Sequence, residues 1–459
     1  MKQCFCNIKN ILFFFNSLLC FTIYSQSNRI QYLDANKAKA LINSNGVLFQ
    51  NQANGTAGYE IPKNSGACAI FCASMWIGGK DENETLRLAA LRYGNGRDFF
   101  PGPYGSISQN LECTWYQKDE KEIWKVTKEQ IACHIANYED PYYIIPEDIL
   151  TWPAHGDVSL GISANLAPFV DLDGDGSYEP LNGEYPFILG DQAVFFIMND
   201  IAGQHTETGG LPLGIEVQVM AYQFKETNSF LDSTTFLKYK IINKGTHSYD
   251  SLRVSFWADG DIGNYADDYF GSDPTRNMIY FYNGDSNDQS DGGKIGYGPN
   301  PPAVGILSLN NDMNYSTYFT STSAYPYNDP GPATEYYNFM SGKWANGSDM
   351  YYGGLGYAGS SGASSTLSDY MFPGDSDPLN WSTAGTDMTG LFPNGWDETV
   401  NGNPAGDRRG VLTNNSTSLD PGTFRIVDYA ILFRRPVISP EGNFYTSVER
   451  LQQVADNCQ

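Results

Sequence analysis

In LGIEVQVMAYQF (213–224), Leu213, Ile215, Val217 and Val219 alternate with Gly214, Glu216, Gln218 and Met220. A period of two puts the first set on one face of an extended chain and predicts a strand. TTFLKYKIIN (234–243) and SLRVSFWAD (251–259) follow, each about one strand long, and FRIVDYAILFRR (424–435) alternates again. DQAVFFIMND (191–200) is almost continuously apolar instead, as expected of a strand covered on both faces. Turn-forming stretches such as NKGTHSYD separate these runs. The pattern predicts a mainly β protein: antiparallel β-sandwich sheets with long loops and two short helices.

Before residue 165, GVLFQN, AGYEIP, ACAIFCASMWIGG and TLRLAALRY supply further strands, and KDENE closes a hairpin between the last two. Two stretches depart from the period of two. VTKEQIACHIANYED begins with Thr127 as N-cap and Gln130 three residues on, a capping box. In TSVERLQQVADNC, Ser447 is the expected cap, and Val448, Leu451, Val454 and Cys458 form one apolar face that packs on the sandwich. From about 284 to 420 the composition shifts to Gly, Ser, Asn, Asp and Tyr, with GGLGYAGSSGASS (353–365) as loop chemistry. So many aromatic residues predict long surface excursions with ordered anchors rather than a disordered linker.

A chain of 459 residues is long for one ordinary domain. The expected division is a signal peptide (1–25), an N-terminal β-rich lobe with one helix (26–165), and a β-sandwich lobe (166–459). The last carries the acidic loops, the Gly/Ser/Asn/Tyr-rich loops and the C-terminal helix. Lys2 and Lys9 precede the apolar run Ile11 to Ile23, and Ser25 offers a small residue for cleavage. This predicts a secreted protein, extracellular or on the cell surface, with the periplasm allowed. No later apolar run is long enough for a transmembrane helix. The mature chain keeps Cys68, Cys72, Cys113, Cys133 and Cys458. Along a strand Cys68 and Cys72 stand roughly 13 Å apart, beyond disulfide reach. Pairing with Cys113 or Cys133, or burial as core thiols, both remain open.

Acidic residues outnumber basic ones 52 to 28, a formal charge of −24. That excess excludes nucleic acid as a partner, whose phosphates need cationic residues, and suits hard cations. APFVDLDGDGSYEP (167–180) supplies the candidate ligands of a Ca²⁺ ion: Asp171, Asp173 and Asp175 at alternate positions, the Ser177 carbonyl, Glu179 and Glu184. Gly176 permits the sharp turn. The twelfth position is Asn182 rather than Glu, and Pro180 blocks an exiting helix, so the motif reads as a solitary calcium loop within a β protein. The alternative is a solvated acidic turn. WADGDIGNYADDYFGSDP adds a second candidate metal cluster: Asp259, Asp261, Asp267, Asp268 and Asp273. NGDSNDQSDGG (283–293) reads as a loop.

No HExxH, Cys-x-x-Cys, GxSxG or GxxxxGK motif is present. His205 stands beside Glu207 in GQHTETGG and reads as a structural histidine. The sequence therefore points to a calcium-stabilised non-enzymatic protein, a surface-associated or adhesive module. The alternative is a carbohydrate-binding module or glycosidase using aromatic loops and paired carboxylates, with a polysaccharide partner.

WPAHGDVSLG, DLDGDGSYEP, EYPFILGDQAVFFIMND, HTETGGLPLGIEVQVMAYQF, ADGDIGNYADDYFGSD, NPPAVG, GDRRGVL and SVERLQQVADNC lie along one chain. Together with GYEIPKNSGACAIFCASMWIGG they cover nearly all of its mature length. In these stretches it resembles the large secreted β-rich proteins exported by the type IX secretion system of Gram-negative bacteria. The resemblance carries no catalytic signature. It implies further β domains and a C-terminal sorting domain beyond the last helix, whereas this sequence stops at Gln459. A truncated product, or one that travels without that signal, is the expectation.

Overall fold

The computed structural model describes residues 29–105, 121–227 and 229–459. Residues 1–25, expected to be a signal peptide, and Cys113 lie outside these residues.

Two large antiparallel sheets dominate the molecule, beside a four-stranded sheet of Ile30–Leu33, Lys39–Asn43, Tyr59–Glu60 and Cys68–Ile70 and several two-stranded ladders. In the nine-stranded sheet the order is Ile123–Thr127, Gln192–Asn199, Ile215–Gln223, Thr235–Asn243, Phe424–Arg434, Ala303–Ser308, Met278–Asn283 and Asp268–Asp273, with Phe100–Pro101 added beside Gln192–Asn199. The six-stranded sheet runs Met313–Phe319, Arg409–Asn414, Tyr249–Asp259, Cys72–Lys80 and Leu86–Ala89, with Thr417–Leu419 on Tyr249–Asp259. The hairpin of Cys72–Lys80 with Leu86–Ala89 turns at Asp81, whose Oδ1 accepts the Asn83 and Thr85 amides.

The two sheets share one core, as the alternation along their strands requires. Phe196, Val217, Val219, Tyr239 and Ile431 from the large sheet lie with Met75, Phe256 and Leu412 from the smaller one. Trp76, Trp257 and Val411 point to the smaller sheet's other face, where Tyr336 and Tyr93 meet the two tryptophans. Phe256 and Tyr429 touch across the gap with ring centroids 4.9 Å apart, and Trp76 stacks beside Trp257 at 6.0 Å. The outer face of the large sheet is covered too. Ala193, Phe195, Ile197 and Met220, with Trp124 and Val126 of the edge strand, pack under Ile131, Ile149 and Trp152. Further along, Phe236, Met278 and Leu432 pack under Leu451, Val454 and Ala455 of the C-terminal helix. Strand Gln192–Asn199 thus buries Val194, Phe196 and Met198 on one side and Ala193, Phe195 and Ile197 on the other. Burial on both sides accounts for its unbroken apolar run.

Strands on either side of residue 165 pair within the same sheets: Ile123–Thr127 with Gln192–Asn199, and Cys72–Lys80 with Tyr249–Asp259. Helix Lys128–Asn137 has the expected capping box between Thr127 and Gln130. Helix Ser447–Cys458 is capped one residue earlier than expected. Thr446 Oγ1 accepts the Glu449 amide at 3.1 Å and Glu449 returns a bond to the Thr446 amide, because T-x-x-E aligns the box from Thr446 and not from Ser447. Three shorter helices, Glu147–Leu150, Ala333–Phe339 and Glu398–Asn401, exceed the two that periodicity predicts. At one to two turns they are too short to display a 3.6-residue repeat.

Between 284 and 420 the aromatic side chains are anchors. Tyr336, Phe339, Trp344, Phe372 and Trp396 all belong to the main buried hydrophobic cluster, and Tyr327 stacks on Tyr357 at 4.0 Å. Cys72 is buried, with its Sγ donating to the Arg92 carbonyl, and burial pushes its thiol well up. Burial raises the Cys68 thiol to about 12 as well.

Candidate metal centre

The acidic loop stands on a two-stranded ladder, Phe169–Val170 against Tyr185–Pro186. Tyr178 pins it to the body: its hydroxyl donates to the Ile149 carbonyl at 2.7 Å, and its ring meets Phe169 edge-on. Alternate aspartates fold the loop around themselves. Asp171 accepts the Gly174 amide at 2.7 Å and the Gly176 amide at 2.9 Å, Asp173 accepts that of Asp175 at 3.1 Å, and Asp175 accepts that of Ser177 at 2.7 Å. Gly174 and Gly176 sit at φ +79° and +81°, where a side chain would be strained. The Gly176 and Gly174 amides hold the Asp171 carboxyl below its ordinary value.

Each of Asp171, Asp173 and Asp175 presents an oxygen within 4.8 Å of the others. Glu179 and Glu184 stand outside that convergent set. Glu184, only 2% exposed, uses both carboxylate oxygens to brace the loop ends, accepting the Leu172 amide at 2.9 Å and the Glu179 amide at 2.8 Å. Glu179 accepts the Asn182 side-chain amide at 2.7 Å. Three converging carboxylates, with lone pairs beyond those bound to amides, suit a hard divalent ion that takes an oxygen shell.

The second acidic stretch separates into three places. Asp259 and Asp261 join Asp407, an aspartate that sequence spacing gave no reason to include, and the three offer oxygens within 4.8 Å of one another. The pairing of Asp259 with Arg409 at the sheet end brings Asp407 there. Asp259 Oδ2 accepts the Tyr93 hydroxyl at 2.9 Å; Arg409 donates to the same hydroxyl at 2.8 Å and lies 2.7 Å from Asp407 Oδ2. The Oδ1 atoms of Asp259 and Asp407 are buried without a hydrogen-bond partner. Burial pushes the Asp259 carboxyl up to about 7 against the pull of Arg409, with Asp407 adding to the rise. The group borders a cleft of about 540 Å³ whose walls include Phe71, Tyr93, Tyr265 and Lys294.

Asp267 belongs elsewhere: burial and the neighbouring Asp288 and Asp285 raise it to about 6. Asp268 is fully buried and accepts the Ile262 amide. Asp273 is a structural cap, accepting the Arg276 amide and pairing with the Arg276 guanidinium at 2.9 Å.

His205 is buried, with its two ring nitrogens at the Leu88 and Asp200 carbonyls, 2.9 and 2.7 Å away. Its neighbour Glu207 binds Arg92 and the Tyr336 hydroxyl. The pair therefore serves the fold. Among the described residues no helix is long and apolar enough to cross a membrane. No protein-family model matches the chain, and a search of curated proteins likewise returns no match.

Proposed function

We propose that this is a secreted, calcium-stabilised, non-enzymatic β protein acting as a surface-associated or adhesive module. The convergence of Asp171, Asp173 and Asp175 on one pinned loop carries the reading. Three like charges within 4.8 Å repel one another until a divalent ion neutralises them. Binding then stabilises the folded chain by mass action. Ca²⁺ is the favoured ion, because a loop with carboxylates of adjustable reach tolerates its irregular shell better than the strict octahedron of Mg²⁺. A low-calcium cell interior and a calcium-rich exterior would delay loop ordering until after export. Thermal melting during a Ca²⁺ titration, with Mg²⁺ as control, tests the proposal: Tm is expected to climb with Ca²⁺, and a flat response refutes it.

One observation favours a second reading, that of a carbohydrate-active protein. Asp259, raised to about 7, lies beside the Arg409-paired Asp407 in an open cleft walled by Phe71, Tyr93 and Tyr265. A carboxyl raised by burial beside a second carboxyl is the kind of pair that glycoside cleavage uses. Polysaccharide binding and hydrolysis assays on wild type and Asp259→Asn separate the readings. Turnover lost in the variant indicates an enzyme, binding without turnover a module, and neither leaves the first reading.

A further inference from the structure

A cleft of about 800 Å³ lies where the C-terminal helix meets the end of strand Phe424–Arg434, the turn Phe230–Ser233 and the segment at Lys37 and Pro62. Its charge is inverted relative to the chain. Overall, 28 basic residues face 52 acidic ones. Here Lys37, Arg434, Arg435 and Arg450 face a single acid, Asp232.

That acid is already engaged. Asp232 pairs with the Lys37 ammonium, accepts the Ser233 hydroxyl at 2.6 Å and lies 3.6 Å from Arg434. Arg434, 8% exposed, is fixed by the Phe433 and Phe230 carbonyls, each at 2.6 Å. Among the described residues no carboxylate ion-pairs with Arg435 or Arg450. Arg435 lies over the Tyr297 ring at 5.3 Å and donates to the Tyr297 and Asn300 carbonyls at 3.2 and 3.4 Å. Arg450 Nη1 donates to Gln453 at 2.7 Å, while its Nε is buried without an acceptor. Burial holds Arg434 below its ordinary value, and the field of Arg450 pushes the same way despite Asp232. Two guanidinium groups that repel each other, in a chain rich in unused carboxylates, leave a deficit of negative charge at one place.

We propose that this cleft binds a small organic acid of saccharide size, with Arg435 and Arg450 gripping its carboxylate or sulfate group. The planar guanidinium fork fits either oxyanion with two parallel hydrogen bonds. Gln453 and Asn457 supply amides for hydroxyl groups, and Pro62 and Phe433 an apolar wall. A long polyanion is disfavoured, because beyond the cleft it would meet the repulsion of a chain carrying −24. The inference is independent of the calcium loop and stands if that reading fails.

Calorimetry at low ionic strength, with and without EDTA, uses digalacturonate and galactose 6-sulfate as probes, and lactose as the neutral control. At least one acidic probe is expected to bind, more weakly as NaCl rises, and lactose is not. The probe that binds identifies the acid group as carboxylate or sulfate. Arg435→Gln and Arg450→Gln are each expected to weaken binding by about tenfold or more. Arg450→Lys should restore only part of the loss, since an ammonium lacks the fork. Should Arg450→Gln fail to fold, Arg435→Gln carries the test, because Arg435 is exposed. The proposal is overturned if neither acid binds, if lactose binds equally well, or if the glutamine variants bind like wild type.

Discussion

Glu184→Gln tests whether the acidic loop is held ready for an ion by a buried brace. In the native protein the carboxylate joins the two ends of the loop through the Leu172 and Glu179 amides at 2.9 and 2.8 Å. Hydrogen bonds to an ionised acceptor contribute about 1.5–3 kcal/mol each. Glutamine keeps one oxygen and presents an NH₂ to the other amide, so one bond is lost and two donors face each other. The cost is about 2–3 kcal/mol, concentrated on the loop because both amides belong to it. If that shape is what the ion binds, Ca²⁺ affinity falls by about 30- to 100-fold, since each 1.4 kcal/mol is tenfold. Glu184→Asp retains the charge but is too short to reach both amides, and should lose a similar factor. This separates the brace from simple charge removal. Calorimetric Ca²⁺ titration, alongside hydrogen exchange at the Leu172 and Glu179 amides, provides the measurement. Wild-type affinity in both variants, with those amides exchanging freely, would refute the reasoning.

Three further outcomes follow from buried contacts. Asp259 titrates near 7 in the folded chain against an ordinary carboxylate value of 3.8, so the folded state holds an extra proton between about pH 4 and 7. Stability in EDTA should therefore fall across that window as pH rises, by on the order of a few kcal/mol. Asp259→Asn should flatten the slope, and parallel urea-midpoint curves for the two proteins would contradict this. Glu398→Ala strands the buried Arg408, which Glu398 holds at 2.9 Å, and also removes the acceptor of the Phe270 amide. Its expected cost is about 3–5 kcal/mol in chemical denaturation, and a loss under about 1 kcal/mol would count against a buried pair. Thr446→Ala should destabilise the C-terminal helix by about 1 kcal/mol, while Ser447→Ala should be nearly silent. Helix-resolved hydrogen exchange distinguishes the two caps, and the opposite ranking would restore Ser447 as the cap.

Local chemistry was legible in the sequence wherever the interaction closes within a few residues. The alternation from Ile215 to Val219 became a strand of the sandwich, and Thr127 with Gln130 became a capping box. The DLDGDG spacing placed Asp171, Asp173 and Asp175 together, because each aspartate binds an amide only two to five residues ahead. Such features depend on backbone geometry and side-chain reach, which the order of residues fixes. Tertiary structure decided the remainder. Asp407 meets Asp259 only because Arg409 pairs with residue 259 across the small sheet. Glu184 is a brace because its carboxylate is buried between the loop ends, and the cationic cleft gathers Lys37, Phe230, Arg434 and Arg450 from four distant segments. Strand partners are selected by burial over the whole chain, and no local pattern encodes which distant segment will supply it.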